Sequence, residues 1–257
     1  MENLETKLFI GLVGLPARGK SYISKKLNRF LSWIGYNPKV FNIGNYRRDS
    51  MGVNIDFNMF FDSGNQNSKN ARDYCAILAL KDVVESFNKE IHNVAIFDGT
   101  NTTVDRRILV TKYLKDNLLV DYRIIWIESI CDIEEIIMKN IYEAKINSPD
   151  YIHWEDKQAV ILDFLKRIES YNKVYEKLDI EVEGEDISFI KIINQGHQIV
   201  ANNLCGYLES KILSYIVNLH TYTRCIYFCR HGESENNILK KMGGDSNLSE
   251  LGRVRIK

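Results

Sequence analysis

Proline is almost missing: Pro16, Pro38 and Pro149 are the only three in 257 residues. A chain so poor in proline carries no Pro-rich spacer, so composition marks no linker. Excess charge is missing too, since 34 Lys and Arg balance 34 Asp and Glu. No global field therefore recruits nucleic acid or an anionic membrane, and any anion must be bound by a local cluster. Cysteine is sparse and scattered, at Cys75, Cys131, Cys205, Cys225 and Cys229, with no C-x-x-C pair. That pattern offers no metal-type C-x-x-C pair and fits a reducing, cytoplasmic setting better than a disulfide framework. Long apolar runs are missing as well. The first, "LFIGLVGL", is eight residues and cannot span a bilayer, and the acidic "MENLETK" before it does not read as a signal peptide. There is neither an internal repeat nor a low-complexity tract.

What remains is an ordinary globular composition, with 45% hydrophobic and 11% aromatic residues. Short apolar runs at 8–13, 39–43, 93–97, 123–127 and 187–193 read as buried strands. Between them, helical periodicity predicts helices over 19–34, 68–90, 104–118, 132–146 and 155–177. In the first of these, Ile23, Leu27, Phe30, Leu31 and Ile34 fall on one face and Gly35 supplies a stop. Strand alternating with helix across short connections predicts an α/β fold with a parallel sheet flanked by helices. A boundary is expected just before "CIYFC", giving units 1–222 and 223–257.

"GLPARGKS", Gly14–Ser21, fits G-x-x-x-x-G-K-[ST] between a predicted strand and a predicted helix, the context that motif requires. Backbone N–H groups of such a loop wrap phosphate oxygens at a helix N-terminus. Lys20 then reaches the β- and γ-phosphates and Ser21 coordinates Mg²⁺. "VAIFDGTN" puts Asp98 at the carboxyl end of a strand, where open α/β sheets bind ligands. There an acid holds the metal shell or takes a proton from an acceptor hydroxyl; the competing use is as N-cap of the next helix, a job Thr102 or Thr103 could share. Arg47, Arg48, Arg72, Arg106 and Arg107 cluster in the loops and helix starts after strands. Singly each suits a solvated surface, but as a set they suggest an anionic sugar or nucleotide, because guanidinium grips phosphate bidentately. Phosphoryl transfer from ATP to a small anionic acceptor is the chemistry these residues imply.

The segments "GLPARGKSYISKKLNRFLSWIG", "KVFNIGNYRR", "FDGTNTTVDRR", "IESIC", "SPDY", "DFLKRIESY" and "CRHGESENN...GGDSNLSELG" run in order through the chain. Together they resemble the bifunctional 6-phosphofructo-2-kinase/fructose-2,6-bisphosphatase family. The resemblance implies a P-loop kinase domain followed by the first strand and loop of a histidine-phosphatase domain. It implies ATP contacts at Gly14, Leu15, Pro16, Ala17, Arg18, Gly19, Lys20, Ser21 and Tyr22, with a second segment running from Asn140 to Lys145. Fructose 6-phosphate contacts carry over to Arg47, Arg72, Thr100, Arg106, Lys145, Arg167 and Tyr171, with Arg48 beside them. Asp98 and Cys131 match the kinase active site, although a cysteine after a strand reads equally as a small buried hydrophobe. Lys145 becomes the partner of Lys20 on the transferred group. The family also suggests a homodimer through kinase domains.

"RHGES" opens the family's bisphosphatase half, whose histidine takes the 2-phosphoryl group covalently. Arg230, His231, Asn237 and Gly243 match its pattern. Only 257 − 231 = 26 residues follow His231, too few to supply a general acid and further phosphate ligands or to close a core. This half is therefore expected to be catalytically silent and poorly ordered. Two competing readings stand beside the first: another P-loop small-molecule kinase, and a nucleotide-binding regulatory module without catalysis.

Overall fold

The computed structural model describes residues 6–52, 60–61, 64–146, 148–219, 227–228 and 230–255. It divides into two compact units, Met1–Leu219 and His220–Lys257.

In the first unit, β1 (Lys7–Val13) lies at the centre and is buried along its whole length. Its side chains alternate between two cores, as a strand with both faces covered must. Leu8, Ile10 and Leu12 meet Ile23, Leu27 and Leu31 of α1 (Lys20–Trp33) and Ile212 and Ile216 of a late helix. Phe9 and Val13 face the other way, with Phe97, Trp126, and Ala76, Leu80 and Val83 of the helix Gln66–Asn88. Gly11 is required here, because a Cβ would lie 2.3 Å from the Trp126 ring.

The chain continues through β2 (Pro38–Asn42), α2 (Ile43–Met51), α3 (Gln66–Asn88), β3 (Val94–Asp98), α4 (Val104–Asn117), β4 (Tyr122–Ile130), α5 (Glu134–Ala144) and α6 (Lys157–Asn172). A short turn of helix, α7 (Ile180–Glu183), precedes β5 (Phe189–Ile193), β6 (Gln198–Asn202) and α8 (Tyr207–Val217). The strand order is β2-β3-β1-β4-β5-β6. Pairings among β1 to β5 are all parallel, but β6 pairs antiparallel with β5. The sheet is thus mixed, which corrects the all-parallel expectation. The cause is local: Asn194 and Gln195 take positive φ (48° and 60°), and the chain reverses within four residues. So short a reversal leaves no room for a crossover helix.

A third apolar cluster, with Phe61, Ile141, Ile146, Tyr151, Val160 and Phe164, closes under α5 and α6 at the carboxyl edge of the sheet. α6 begins on Asp156, whose carboxylate accepts from the N–H of Gln158 (2.8 Å) and Ala159 (3.2 Å).

In the second unit, Cys225, Ile226 and Cys229 of the expected strand lie outside the described residues. Tyr227 and Phe228 are described, belong to no strand and are exposed, which corrects the strand reading for those two positions. Residues 230–255 carry short-range bonds of their own. Ser234 and Asn237 form a reciprocal capping box at α9 (Glu235–Ile238). An antiparallel bridge joins Ser234 to Leu248, and Ser249 donates to Glu233 (2.8 Å) ahead of α10 (Glu250–Arg255).

Candidate active site

The loop between β1 and α1 is pinned from several sides. Gly14 (φ 133°) has its N–H on the Thr100 carbonyl at 2.9 Å, and a Cβ there would meet the Ser129 carbonyl at 2.4 Å. Only glycine fits that backbone and that approach. Ala17 (φ 60°) and Gly19 (φ 81°) complete the curl, after which Lys20, Ser21 and Tyr22 open α1. Asn140 of α5 donates to the Ala17 carbonyl at 2.9 Å, and Ser129 Oγ donates to the Arg18 carbonyl. Arg18 Nε reaches back to the Cys131 carbonyl at 3.0 Å, and its Nη1 to that of Pro16 at 3.1 Å. Burial lowers the Arg18 pKa, partly offset by Cys131 and Asp132. Cys131 is itself buried and meets the loop through its carbonyl, with its Sγ 3.9 Å from the Ile133 carbonyl.

Lys20 is buried and donates to the Leu15 carbonyl at 2.6 Å, folded onto its own loop. Burial pushes its pKa down to about 7; Lys145, Arg18 and Arg167 push the same way, and Asp98 opposes them. Lys145, the C-cap of α5, is likewise lowered by burial and by Arg167, against Asp98 and Asp150. Arg47 is lowered by burial, then held up by Asp150 and opposed by Arg167 and Arg48. The fold thus gathers Lys20, Lys145, Arg47, Arg48 and Arg167 at one edge of the sheet, with Asp98 and Asp150 as the facing carboxylates. Among the described residues, with Arg18 also acting on Lys20, cations outnumber carboxylates here at partly desolvated positions, which favours an anionic ligand.

Asp98 ends β3 and is 5% exposed, with its Oδ2 accepting from Asn42 Nδ2 at 2.6 Å. It does not cap the next helix. Thr103 does that, accepting from the Arg106 N–H at 3.2 Å, so the competing structural use of Asp98 is absent. Thr100 is half-buried in the loop between them. Asp150 Oδ1 pairs with Arg47 and lies 3.2 Å from Arg48 Nη1. Arg167 stacks 3.7 Å above the Phe61 ring, and Phe61 lies 5.7 Å from the Tyr171 ring. Arg167 Nε is buried with no hydrogen-bond partner among the described residues.

Arg72 and Arg106 are held by protein groups. Arg72 Nη1 donates to the Phe60 carbonyl, and Arg106 Nε binds Asp73 at 2.8 Å. Arg107, grouped by sequence with the ligand-facing arginines, is 1% exposed and points into the protein, where it pairs with Glu183 at 2.6 Å. Its neighbour Arg106 turns instead toward Asp73 of α3, because adjacent helical positions lie about 100° apart.

In the second unit, described by itself, Arg230 and His231 are exposed and His231 Nδ1 lies 2.7 Å from the Gly232 carbonyl. The Asn237 side chain serves the capping box, and Gly243 takes φ 78°. Among the described residues no cluster of His, Cys, Asp and Glu forms a metal cage. No described helix is long and apolar enough to cross a membrane.

Several residues escape sequence reading. Asn42 and Asp150 are polar residues near strand or helix ends with nothing to mark them as partners of Asp98 and Arg47. Asn101 is buried, left-handed (φ 41°), and donates to the Leu12 carbonyl at 2.7 Å. Its place after "DGT" was the available signal, since Asn tolerates that backbone.

The 6-phosphofructo-2-kinase family profile matches residues 1–223. Among curated relatives, 6-phosphofructo-2-kinase/fructose-2,6-bisphosphatase 3 of Bos taurus is 44% identical over 244 residues, covering 95% of this chain and 52% of that protein. The Homo sapiens protein of the same name is 43% identical over 95% of this chain and 46% of its own length. 6-Phosphofructo-2-kinase/fructose-2,6-bisphosphatase 1 of Rattus norvegicus is 46% identical over 94% of this chain and 50% of its own. The chain therefore spans about half the length of the curated relatives it matches. With the loop, Asp98 and the cation cluster arranged as above, the chain belongs to the 6-phosphofructo-2-kinase family.

Proposed function

We propose that this chain transfers the γ-phosphoryl group of ATP to the 2-hydroxyl of fructose 6-phosphate, giving fructose 2,6-bisphosphate. The observation that carries the reading is the gathering of Lys20, Lys145, Arg47, Arg48 and Arg167 around Asp98 and Asp150. Two anionic substrates entering together supply the charge that this cluster needs.

The loop Gly14–Tyr22 binds the ATP phosphates through its backbone N–H groups, and Asn140 fixes the loop through Ala17. Lys20 leaves the Leu15 carbonyl to meet phosphate oxygen, whose negative charge favours the ammonium form. Arg47, Arg48, Arg72, Arg106, Arg167 and Tyr171 hold the acceptor's 6-phosphate and ring, with Thr100 beside the reacting carbon. Asp150 and Asp73 act as counter-ions that the acceptor phosphate displaces or shares. The acceptor oxygen attacks phosphorus in line, the bond from phosphorus to the β-bridging oxygen breaks, and ADP leaves. Asp98 takes the hydroxyl proton through its Oδ1, the oxygen not engaged by Asn42. Lys20 and Lys145 hold the charge on the transferred group. Ser21 and Asp98 offer hard oxygens of the kind Mg²⁺ requires, and that ion when bound neutralises charge on the β- and γ-phosphates.

Residues 223–257 fit the opening of a histidine-phosphatase domain on the RHGES motif, with His231 as phosphoryl acceptor and Arg230, Asn237 and Gly243 beside it. The scattered cysteines fit a cytoplasmic enzyme, and the family resemblance of the sequence suggests a homodimer through kinase domains, testable by sedimentation. Turnover is tested with a panel of phosphorylated acceptors and ADP detection. Lys20→Met should lower kcat by about 10²–10³-fold, the loss that follows removal of one preorganised donor, and near-normal rates would refute its role.

A further inference from the structure

One heavily bonded arginine of the first unit is not used by the reaction above. Arg107, in the first turn of α4, is 1% exposed and spends its whole guanidinium fork inside the protein. Nη1 donates to two carbonyls, Asn101 and Glu176, each at 3.0 Å. Nε lies 3.0 and 3.1 Å from the two Glu183 oxygens, and Nη2 lies 2.6 Å from Oε1. Asn101 belongs to the loop that follows Asp98 and carries Thr100. Glu176 lies four residues beyond the end of α6, the helix that carries Arg167 and Tyr171.

The same two segments are stitched by bonds that Arg107 frames. The Glu176 N–H donates to the Thr102 carbonyl at 2.8 Å, and its carboxylate accepts from the Val104 N–H at 2.7 Å. On the far side, Glu128 of β4 accepts from Tyr175 Oη (2.6 Å) and the Leu178 N–H (3.2 Å), and Lys191 donates to the Leu178 carbonyl. The strap 175–178 is therefore held between β4 and Arg107. At its inner end the loop meets the end of β1, through Asn101 to Leu12, and the phosphate loop, through Gly14 to Thr100.

We propose that Arg107 is a positioning residue for acceptor binding. Its fork fixes the Thr100 loop to the strap behind Tyr171, so that the two acceptor-binding elements keep one spacing. This rests on the acceptor site assigned above. A point charge cannot replace the fork: lysine could pair with Glu183 but not also reach both carbonyls in that geometry. Loss of the fork would leave the buried Asn101 carbonyl without a donor and let loop and strap separate.

The test compares wild type with Arg107→Lys and the milder Glu183→Gln in the full chain. Kinetics are measured against fructose 6-phosphate and ATP separately, and hydrogen exchange is followed along the chain. The expected result is an acceptor KM raised about tenfold or more by Arg107→Lys and less by Glu183→Gln, with the ATP KM within about twofold of wild type. Exchange should quicken together over 99–104 and 174–178 while 20–33 stays unchanged. Folded variants with an unchanged acceptor KM would overturn the proposal. So would equal rises in both KM values with exchange quickened throughout the unit, the mark of a merely structural contact. If wild type itself does not use fructose 6-phosphate, the acceptor assignment fails, and the exchange pattern alone decides. Coupled loosening of the two segments upholds the link, and loosening of one or neither contradicts it.

Discussion

Lys20 is held in a state that opposes its own charge. Its ammonium titrates near about 7 in the folded protein, far below the ordinary lysine value, because burial and the neighbouring cations disfavour it. The unfolded chain therefore binds more protons between about pH 7 and the ordinary lysine pKa, and stability rises with pH across that window. Below it the full cost of a buried charge remains. Lys20→Met removes that cost, so the variant should melt above wild type at about pH 6, with the gap closing toward about pH 9–10. A difference independent of pH would contradict the assigned environment. The placing of Lys20 and Ser21 at the start of α1 and of Asp98 at the end of β3 was legible in the sequence, because short, local patterns mark those positions. Asp150 and Asn42 were not: each acts on a residue far away in the chain, and nothing local marks an aspartate as the partner of Arg47. Arg107 was misjudged with the ligand-facing arginines for a related reason, since sequence shows that two arginines are adjacent but not which one the helix turns inward.

Elements were legible where one period dominates. α1, α3 and α4 and the strands β1 to β4 lie close to their expected bounds, because continuous apolar runs and one-sided helices are strong signals. α2, β6 and α8 were not seen. "IGNYRRDSM" has little apolar periodicity and is held by the Asn42 cap and by Arg47 and Arg48 on Asp150. β6 is an edge strand, largely exposed, and its antiparallel course depends on the positive φ of Asn194 and Gln195. At the junction of β1 with the phosphate loop, Gly14→Ala must move the Ser129 carbonyl or the loop. It should cost about 1–3 kcal/mol in stability, read by denaturant unfolding, and weaken ATP binding with it. Unchanged stability and affinity would show that the loop is not pinned to β4 there.

At the scale of the whole chain, the residues proposed for phosphoryl transfer fall within one of the two compact units. The kinase machinery lies within Met1–Leu219 and His231 lies in the other unit. His231→Ala should therefore leave kinase kcat and both KM values within about twofold of wild type. A loss comparable to that of Lys20→Met would mean that the second unit helps to build the kinase site. The central claim is phosphoryl transfer to the 2-hydroxyl of fructose 6-phosphate, and it is tested most directly by ADP release from ATP with and without that sugar phosphate, with the product identified by phosphorus NMR. The account predicts ADP release that depends on fructose 6-phosphate, a new phosphate ester at carbon 2, and loss of both in Lys20→Met. ATP hydrolysis indifferent to the sugar, or transfer only to a different acceptor, would contradict it.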